Sequence, residues 1–171
     1  MQNTSHAVMS QRLEAADSPD DFPTPPWATR ALMEYVLRGS LAVSDMSCLE
    51  PACGAGHMSN VLADYFRFVE SSDIHDYGFG RTIDFFEYKN TADQFDWLIT
   101  NPPFRLAEEF VLKGLSITRI GVAILALRTP LIFLPRAIAP IRAGSLPDPG
   151  ISWMVLASCK KPCRNHATMD V

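Results

Sequence analysis

Residues 46–59 read MSCLEPACGAGHMS and are the most informative stretch for the fold. The first five residues form a short apolar strand that ends in the carboxylate of Glu50. The Gly-rich turn PACGAGH follows, and the apolar period predicts a helix from about Met58 to Phe68. A second apolar segment then ends near Asp73. This order of strand, glycine turn, helix and strand is typical of a parallel crossover unit.

The same alternation of short apolar strands and helices continues as far as residue 127. We therefore predict an α/β fold with a mostly parallel sheet and helices on both faces. Ligands of such sheets bind at the carboxyl ends of the strands. Polar side chains stand at or near four predicted strand ends, namely Glu50, Asp73, Asp84 and Asn101. These residues are expected to surround a ligand site.

The glycine turn and the acidic strand end after it favour a nucleoside ligand. Glycines let a ligand approach the backbone closely, and a carboxylate such as Asp73 can accept hydrogen bonds from both ribose hydroxyls. A dinucleotide site prefers a third glycine, where this chain has Ser59. A cofactor without a phosphate therefore fits better than a dinucleotide. The alternative is an ordinary loop, because short Gly-x-Gly turns are common in proteins.

The stretch DWLITNPPF, residues 96–104, predicts the chemistry. A planar amino group is a poor nucleophile because its lone pair is delocalised. The side-chain oxygen of Asn101 and the carbonyl of Pro102 can accept both amino hydrogens, which aims the nitrogen lone pair at an electrophile. Two prolines stiffen the loop, and Phe104 offers a flat face to a substrate ring. The alternative is a plain turn after an edge strand.

The composition fits a single globular domain. The chain has 171 residues, of which 47% are hydrophobic and 20% are charged. Residues 1–127 hold 9 Lys and Arg against 17 Asp and Glu, whereas residues 128–171 hold 6 against 2. The acidic body argues mildly against nonspecific binding to a polyanion. The polar N-terminus has no apolar signal core and the four cysteines are predicted to be reduced thiols, so a cytoplasmic location is expected.

Three motifs together carry a family resemblance: LEPACGAGHMS, DWLITNPPF, and DFPTPPW before both. They resemble the class I S-adenosylmethionine-dependent methyltransferases, and more narrowly the N6-adenine DNA methyltransferases of phages and prophages. The order of the motifs is similar to the gamma arrangement of that family, and the match covers about residues 20–128. The resemblance implies a Rossmann-like class I methyltransferase fold and S-adenosylmethionine as cofactor. It also implies DNA as partner, with the target adenine flipped out of the duplex.

The resemblance further implies a role for each matching residue. Four residues would line the methionine side of the cofactor: Phe22, Thr24, Pro25 and Trp27. Four residues in and beside the glycine turn would hold its amino-acid end: Glu50, Ala52, Gly54 and Gly56. Asp73 would hold the ribose, and Asp84 with Phe85 would contact the cofactor's adenine. The catalytic loop that binds the target base would consist of Asn101, Pro102, Pro103 and Phe104.

The resemblance stops near Arg128. We therefore predict a flexible tail over residues 1–21, a methyltransferase domain over residues 22–128, and an atypical Pro-rich basic tail over residues 129–171. The last part holds six of the thirteen prolines and shows no sustained period, although ISWMVLA fits one strand. As a continuation of the sheet it is expected to be incomplete or irregular, and loosely packed.

Rival functions stay open at this point. The Asn-Pro-Pro-aromatic loop also occurs in methyltransferases that act on RNA bases or on glutamine side chains of proteins, although DFPTPPW favours adenine in DNA. Outside the enzymes, the alternative is a truncated remnant that only binds cofactor or nucleic acid. Near the C-terminus, Cys159, Cys163 and His166 lack a fourth ligand, so they do not predict a metal site.

Overall fold

The computed structural model describes residues 23–37, 43–91, 93–127, 140–145 and 151–157. Its strands are β1 (Ser47–Glu50), β2 (Phe68–Asp73), β3 (Arg81–Thr82), β4 (Phe95–Thr100), β5 (Thr118–Leu127), β6 (Pro140–Ser145) and β7 (Ile151–Ala157). Its α-helices are α1 (Pro26–Ala31), which a π-helical turn over Leu32–Val36 extends, α2 (His57–Leu62) and α3 (Ala107–Ile117). Short 3-10 helices cover Val43–Asp45, Phe85–Glu87 and Phe104–Leu106. Within these parts of the chain, the strands form one seven-stranded sheet in the order β3-β2-β1-β4-β5-β7-β6.

Strands β1 to β5 run parallel to one another. Leu49 of β1 is paired with Glu70 of β2 on one side and with Leu98 of β4 on the other. Strand β3 pairs with β2 and β5 pairs with β4 in the same direction, whereas β7 and β6 add antiparallel pairings. The predicted α/β fold with a mostly parallel sheet is confirmed. The carboxyl ends of β1, β2 and β4 consequently lie at the same end of the sheet.

Helices cover both faces of the sheet. On one face, Leu32 of the first helical segment and Leu62 of α2 share a core with Trp97 of β4. On the other face, Val111 of α3 shares a core with Leu98 of β4. Successive side chains of a strand point to opposite faces, and burial of both Trp97 and Leu98 is the pattern of a sheet covered on both sides.

The first helix begins with two prolines. Pro25 is its N-cap residue, and no side chain caps it. Pro26 takes the first helical position, where a missing N–H costs nothing. Leu32 and Val36 of the π-helical turn are buried, whereas Tyr35 is 73% exposed. The wider turn of the π-helical segment Leu32–Val36 changes the angular spacing of its side chains, so the 3.6-residue period does not hold there.

Two segments of the C-terminal part belong to the sheet. The ISWMVLA stretch forms β7 and pairs antiparallel with β5, and β6 pairs with the outer side of β7. The expectation of an irregular tail over residues 129–171 is therefore corrected for these two segments. Pro140 stands at the start of an edge strand, where a proline is tolerated, which explains why the sequence pattern did not predict β6. The domain boundary at residue 128 stays a prediction.

Candidate functional site

A cavity of about 240 Å³ lies at the carboxyl ends of β1, β2 and β4. Nine of the predicted site residues line it: Thr24, Glu50, Ala52, Gly54, Asp73, Asp84, Phe85, Asn101 and Pro103. They come from separate stretches of the sequence, and the parallel pairing of β1 with β2 and β4 brings them together. The predicted cofactor residues and the predicted acceptor loop therefore border one cavity.

The turn between β1 and α2 is attached to β2 through its backbone. Gly56 is the N-cap residue of α2 and has a φ of 83°, a left-handed conformation that glycine adopts without strain. Its amide donates a hydrogen bond to the carbonyl of Cys53 at 2.8 Å, and the amide of Cys53 donates to the carbonyl of Ser72 at 3.0 Å. A Cβ atom at position 56 would lie 2.6 Å from the ring of Phe79. The position thus requires glycine for its conformation and for its close contact.

The Asp73 carboxylate at the end of β2 is held by two backbone amides. The amide of Gly54 donates to Oδ2 at 2.9 Å, and the amide of His75 donates to Oδ1 at 3.0 Å. Asp73 is 8% exposed, and its exposed part faces the cavity that it lines. Because a carboxylate oxygen has two lone pairs, each oxygen keeps acceptor capacity beyond its backbone bond. Two such oxygens side by side match a pair of neighbouring hydroxyl groups.

Glu50 at the end of β1 is a buried carboxyl group, only 2% exposed. Ser59 of α2 donates a hydrogen bond to its Oε2, and the Ser59 hydroxyl lies 2.6 Å from that of Ser71 in β2. Burial raises the pKa of Glu50 to about 8, against the lowering effect of its hydrogen bonds from Ser59, and the charge of Asp73 raises it further. The group therefore keeps a proton near neutral pH unless a cation approaches it.

The segment after β3 forms a further side of the cavity. Asp84 caps the 3-10 helix Phe85–Glu87, since its Oδ1 accepts a hydrogen bond from the amide of Phe86 at 2.9 Å. The ring of Phe85 is buried with its centroid 4.6 Å from that of Phe110 in α3. Phe86 packs edge-on against the same Phe110 ring at 5.6 Å. A carboxylate beside apolar rings suits a flat heterocycle that carries an amino group.

The acceptor loop begins directly after β4. Asn101 follows the last residue of the strand and is half-buried where it lines the cavity. Pro102 is buried, and Pro103 lines the cavity. Phe104 begins the 3-10 helix that ends at Leu106 and is 40% exposed. Pro103 and Leu106, before and after it in the chain, line the cavity, whereas Phe104 does not.

Five predicted site residues in the described part of the chain do not line the cavity: Pro25, Trp27, Gly56, Pro102 and Phe104. Trp27 is 43% exposed on α1, so its role beside a cofactor stays a prediction. Gly56 shapes the turn that carries Gly54 towards the cavity. Phe22 lies outside the described residues, as do residues 1–21 of the predicted flexible tail.

Sequence reasoning missed several residues of the cavity. They include Cys53, His57, His75, Tyr77, Leu106 and Phe110. Leu106 and Phe110 follow the acceptor loop at helical spacing, so the apolar face at the start of α3 is the pattern that points to them. Burial, with further contributions from the charges of Glu50 and Asp73, raises the pKa of the Cys53 thiol to about 12. The thiol is therefore neutral beside these carboxyl groups.

The described ranges contain neither a candidate metal site nor a membrane-spanning helix. No group of three or more His, Cys, Asp and Glu side chains in those ranges is arranged to hold a metal ion. No helix in the same ranges is long and apolar enough to cross a membrane. Cys159, Cys163 and His166 lie outside the described residues.

Solved structures of several methyltransferases share this fold. An RNA methyltransferase from Salinibacter ruber, in complex with S-adenosyl-L-homocysteine, is 13% identical with a TM-score of 0.59, over 84% of this chain and 98% of that one. The rRNA methyltransferase aviRa from Streptomyces viridochromogenes is 11% identical with a TM-score of 0.62, over 82% and 88%. The N-methyltransferase NodS from Bradyrhizobium japonicum, also in complex with S-adenosyl-L-homocysteine, is 16% identical with a TM-score of 0.58, over 81% and 89%.

Comparisons at the level of sequence give no match. No protein-family model matches the chain, and no curated protein sequence matches it. At 11% to 16% identity, the structural likeness bears on the fold alone. The likeness to each of the three structures covers at least 81% of this chain. This chain therefore has the Rossmann-like fold of these methyltransferases.

Proposed function

We propose that this chain is an S-adenosylmethionine-dependent methyltransferase that acts on the exocyclic N6 amino group of adenine in DNA. The observation that carries the proposal is a single cavity bordered by Glu50 and Asp73 on one side and by Asn101 and Pro103 on the other. Group transfer requires that donor and acceptor are held together in a fixed orientation. A cavity that borders both predicted sites meets this requirement.

The residues of the cavity fit the nucleoside part of the cofactor. Asp73 keeps acceptor capacity on both carboxylate oxygens after its bonds from Gly54 and His75, which suits the two ribose hydroxyls. Asp84, beside the buried ring of Phe85, suits the amino group and the flat ring of the adenine. Two structures of the same fold are complexes with S-adenosyl-L-homocysteine, which supports this choice of cofactor.

The amino-acid part of the cofactor is assigned to the turn after β1. A nearby ammonium group favours the ionised form of the buried Glu50. Near neutral pH, we therefore expect Glu50 to lose its proton when the amino group of the cofactor binds beside it. Ala52 and Gly54 line the same part of the cavity, and Thr24 lines it from the segment before α1. When bound, S-adenosylmethionine supplies an electrophilic methyl group.

The acceptor loop orients the amino group of the target base. The side-chain oxygen of Asn101 and the backbone carbonyl of Pro102 accept its two hydrogens, so the nitrogen lone pair points into the cavity. The two prolines restrict the loop, and the exposed Phe104 offers a stacking surface to the ring. The base must leave the duplex to reach this loop, because its amino group is otherwise paired.

An RNA base is the second candidate acceptor. The phage-type motifs, with DFPTPPW before the glycine turn, support adenine in DNA. Two solved structures with the same fold are named as RNA or rRNA methyltransferases, which supports RNA. The two acceptors share the planar amino group that the Asn101 loop is suited to hold, so the loop alone does not separate them.

The test is methyl transfer from labelled S-adenosylmethionine to unmethylated DNA and to RNA of the same sequence, with the full-length chain. We expect label on N6 of adenine in DNA. Asn101→Ala should lower the rate of labelling by about 10²–10³-fold, whereas Asn60→Ala, at an exposed position of α2, should retain it.

Each other outcome points to a different conclusion. Label on RNA alone would mean that the acceptor is a base of RNA and not of DNA. Binding of S-adenosyl-L-homocysteine without label on either nucleic acid would indicate a protein acceptor or a remnant that does not turn over. Absence of any binding would contradict the proposed cofactor.

A further inference from the structure

The ammonium group of Lys113 on α3 makes three hydrogen bonds to one short loop. Its Nζ donates to the carbonyl of Phe86 at 3.3 Å, to the carbonyl of Tyr88, and to Oδ1 of Asn90 at 2.7 Å. An ammonium has three N–H donors, so these acceptors match its full capacity. All three acceptors are uncharged, and the lysine is half-buried. Its contacts therefore hold the loop in place and do not form an ion pair.

The loop that Lys113 contacts is the side of the cavity assigned to the nucleoside. Asp84, Phe85 and Phe86 line the cavity. Their conformation depends on one 3-10 turn, in which Glu87 donates its amide to the carbonyl of Asp84 at 3.0 Å and Tyr88 donates to that of Phe85 at 3.3 Å. A single turn of this kind has poor hydrogen-bond geometry and little stability of its own. Tertiary contacts must therefore hold it.

Besides the packing of Phe85 and Phe86 against Phe110, two hydrogen-bonded attachments hold the loop from different sides. The hydroxyl of Tyr88 donates to the buried Ser72 hydroxyl of β2 at 3.2 Å. On the side of α3, Lys113 bonds to the carbonyls of Phe86 and Tyr88 and to Oδ1 of Asn90. The first attachment lies in the core, whereas the second is at the surface of the molecule. The surface attachment can be removed without opening the core.

We infer that Lys113 is a positioning residue that attaches the loop of residues 84–90 to α3 and thereby sets the affinity for the nucleoside part of the cofactor. The nature of the ligand rests on the proposed function, and the attachment rests on the contacts of Lys113. Lys113 does not line the cavity, so it acts through the loop. Because α3 follows the acceptor loop in the chain, the same lysine connects the two sides of the cavity.

The experiment compares Lys113→Met with the wild type and with Lys89→Met, which removes an exposed lysine of the same loop. Amide hydrogen exchange is measured in the free protein, and the Kd of S-adenosyl-L-homocysteine is measured by calorimetry. In Lys113→Met, we expect the amides of Phe86, Glu87 and Tyr88 to exchange about tenfold faster and the Kd to rise about tenfold. Methyl transfer at saturating cofactor should keep its kcat, and Lys89→Met should match the wild type. Lys113→Arg, which keeps the charge, should restore part of the affinity.

Unchanged exchange at these three amides in Lys113→Met would overturn the inference. An equal increase in exchange at the amides of Leu98 and Val122 in the central sheet would also overturn it, because that pattern indicates global destabilisation. Faster local exchange with an unchanged Kd would contradict the role in affinity. If the wild type binds no S-adenosyl-L-homocysteine, the proposed cofactor and this role in affinity both fail, whereas the exchange result still decides whether Lys113 holds the loop.

Discussion

The two sides of the cavity are constructed in different ways. On the cofactor side, the buried carboxyl groups of Glu50 and Asp73 accept hydrogen bonds from Ser59 and from the amide of Gly54, which belong to other segments of the chain. On the acceptor side, the loop from Asn101 contains two prolines and one 3-10 turn, and Phe104 is exposed. Hydrogen bonds between separate segments contribute to the first side, and two prolines stiffen the chain of the second.

This difference determines how each side responds to substitution. Removing a buried acceptor leaves its donors unsatisfied, at a cost of about 1–3 kcal/mol. On the cofactor side, affinity and stability should therefore fall together. A group that orients the acceptor acts mainly in the transition state, so its loss should lower turnover while cofactor binding persists.

We expect the greatest loss from Asn101→Ala on the acceptor side. Removing one oriented hydrogen-bond partner of the reacting group should lower kcat by about 10²–10³-fold. The Kd of S-adenosyl-L-homocysteine should remain that of the wild type. Single-turnover methyl transfer and calorimetry measure the two quantities. A parallel loss of cofactor affinity would mean that the two sides of the cavity do not act separately.

The second largest effect, a loss of both cofactor affinity and stability, is expected from Asp73→Asn on the cofactor side. Asn keeps one acceptor oxygen, so only one of the two hydrogen bonds that Gly54 and His75 donate can persist. We expect the Kd of S-adenosyl-L-homocysteine to rise about tenfold or more, with a loss of about 1–3 kcal/mol in the free energy of unfolding. Asp76→Asn, at an exposed position of the same loop, is the matched control. Weaker binding at full stability would show that the backbone bonds of Asp73 contribute little to the fold.

The pH dependence of the cofactor side should follow Glu50. Burial raises its folded-state pKa to about 8, compared with an ordinary value of 4.5. Between these two values the unfolded chain is ionised while the folded chain keeps its proton. The folded state therefore binds more protons, and stability should fall by about 1 kcal/mol per pH unit as the pH rises through this interval. Above about pH 8 both states are ionised, and this contribution no longer changes.

Urea unfolding at pH 5, 6, 7 and 8 measures this slope. Glu50→Gln stays neutral, so its stability should depend less on pH over the same interval. Cofactor affinity should change in the opposite direction, because an ammonium group binds the ionised carboxylate, and should therefore rise with pH in the wild type alone. Equal slopes in wild type and variant would show that Glu50 does not titrate as its burial implies.

The sequence predicted the parts of the site that local chain pattern determines. Glu50, Asp73 and Asn101 were identified because each ends or follows a short apolar strand, and parallel pairing then places strand ends together. The contacts of Lys113 with Phe86 and Tyr88 could not be predicted in this way. They depend on how α3 packs beside a loop some twenty-five residues earlier, and no short motif encodes that packing.

The smallest predicted effect is a difference in stability between alanine variants of two glycines in the loops on the cofactor side. Gly56 and Gly78 have φ values of 83° and 73°, so alanine at either position incurs a similar backbone strain of about 1–2 kcal/mol. A Cβ at position 78 meets nothing within 4 Å, whereas a Cβ at position 56 meets the ring of Phe79. Gly56→Ala should therefore be less stable than Gly78→Ala by about 1 kcal/mol, the cost of displacing that ring. Denaturant unfolding of the two variants measures the difference, and Phe79→Leu combined with Gly56→Ala should reduce it. Equal losses in both variants would mean that the Phe79 ring moves aside freely, so that backbone conformation alone requires glycine at position 56.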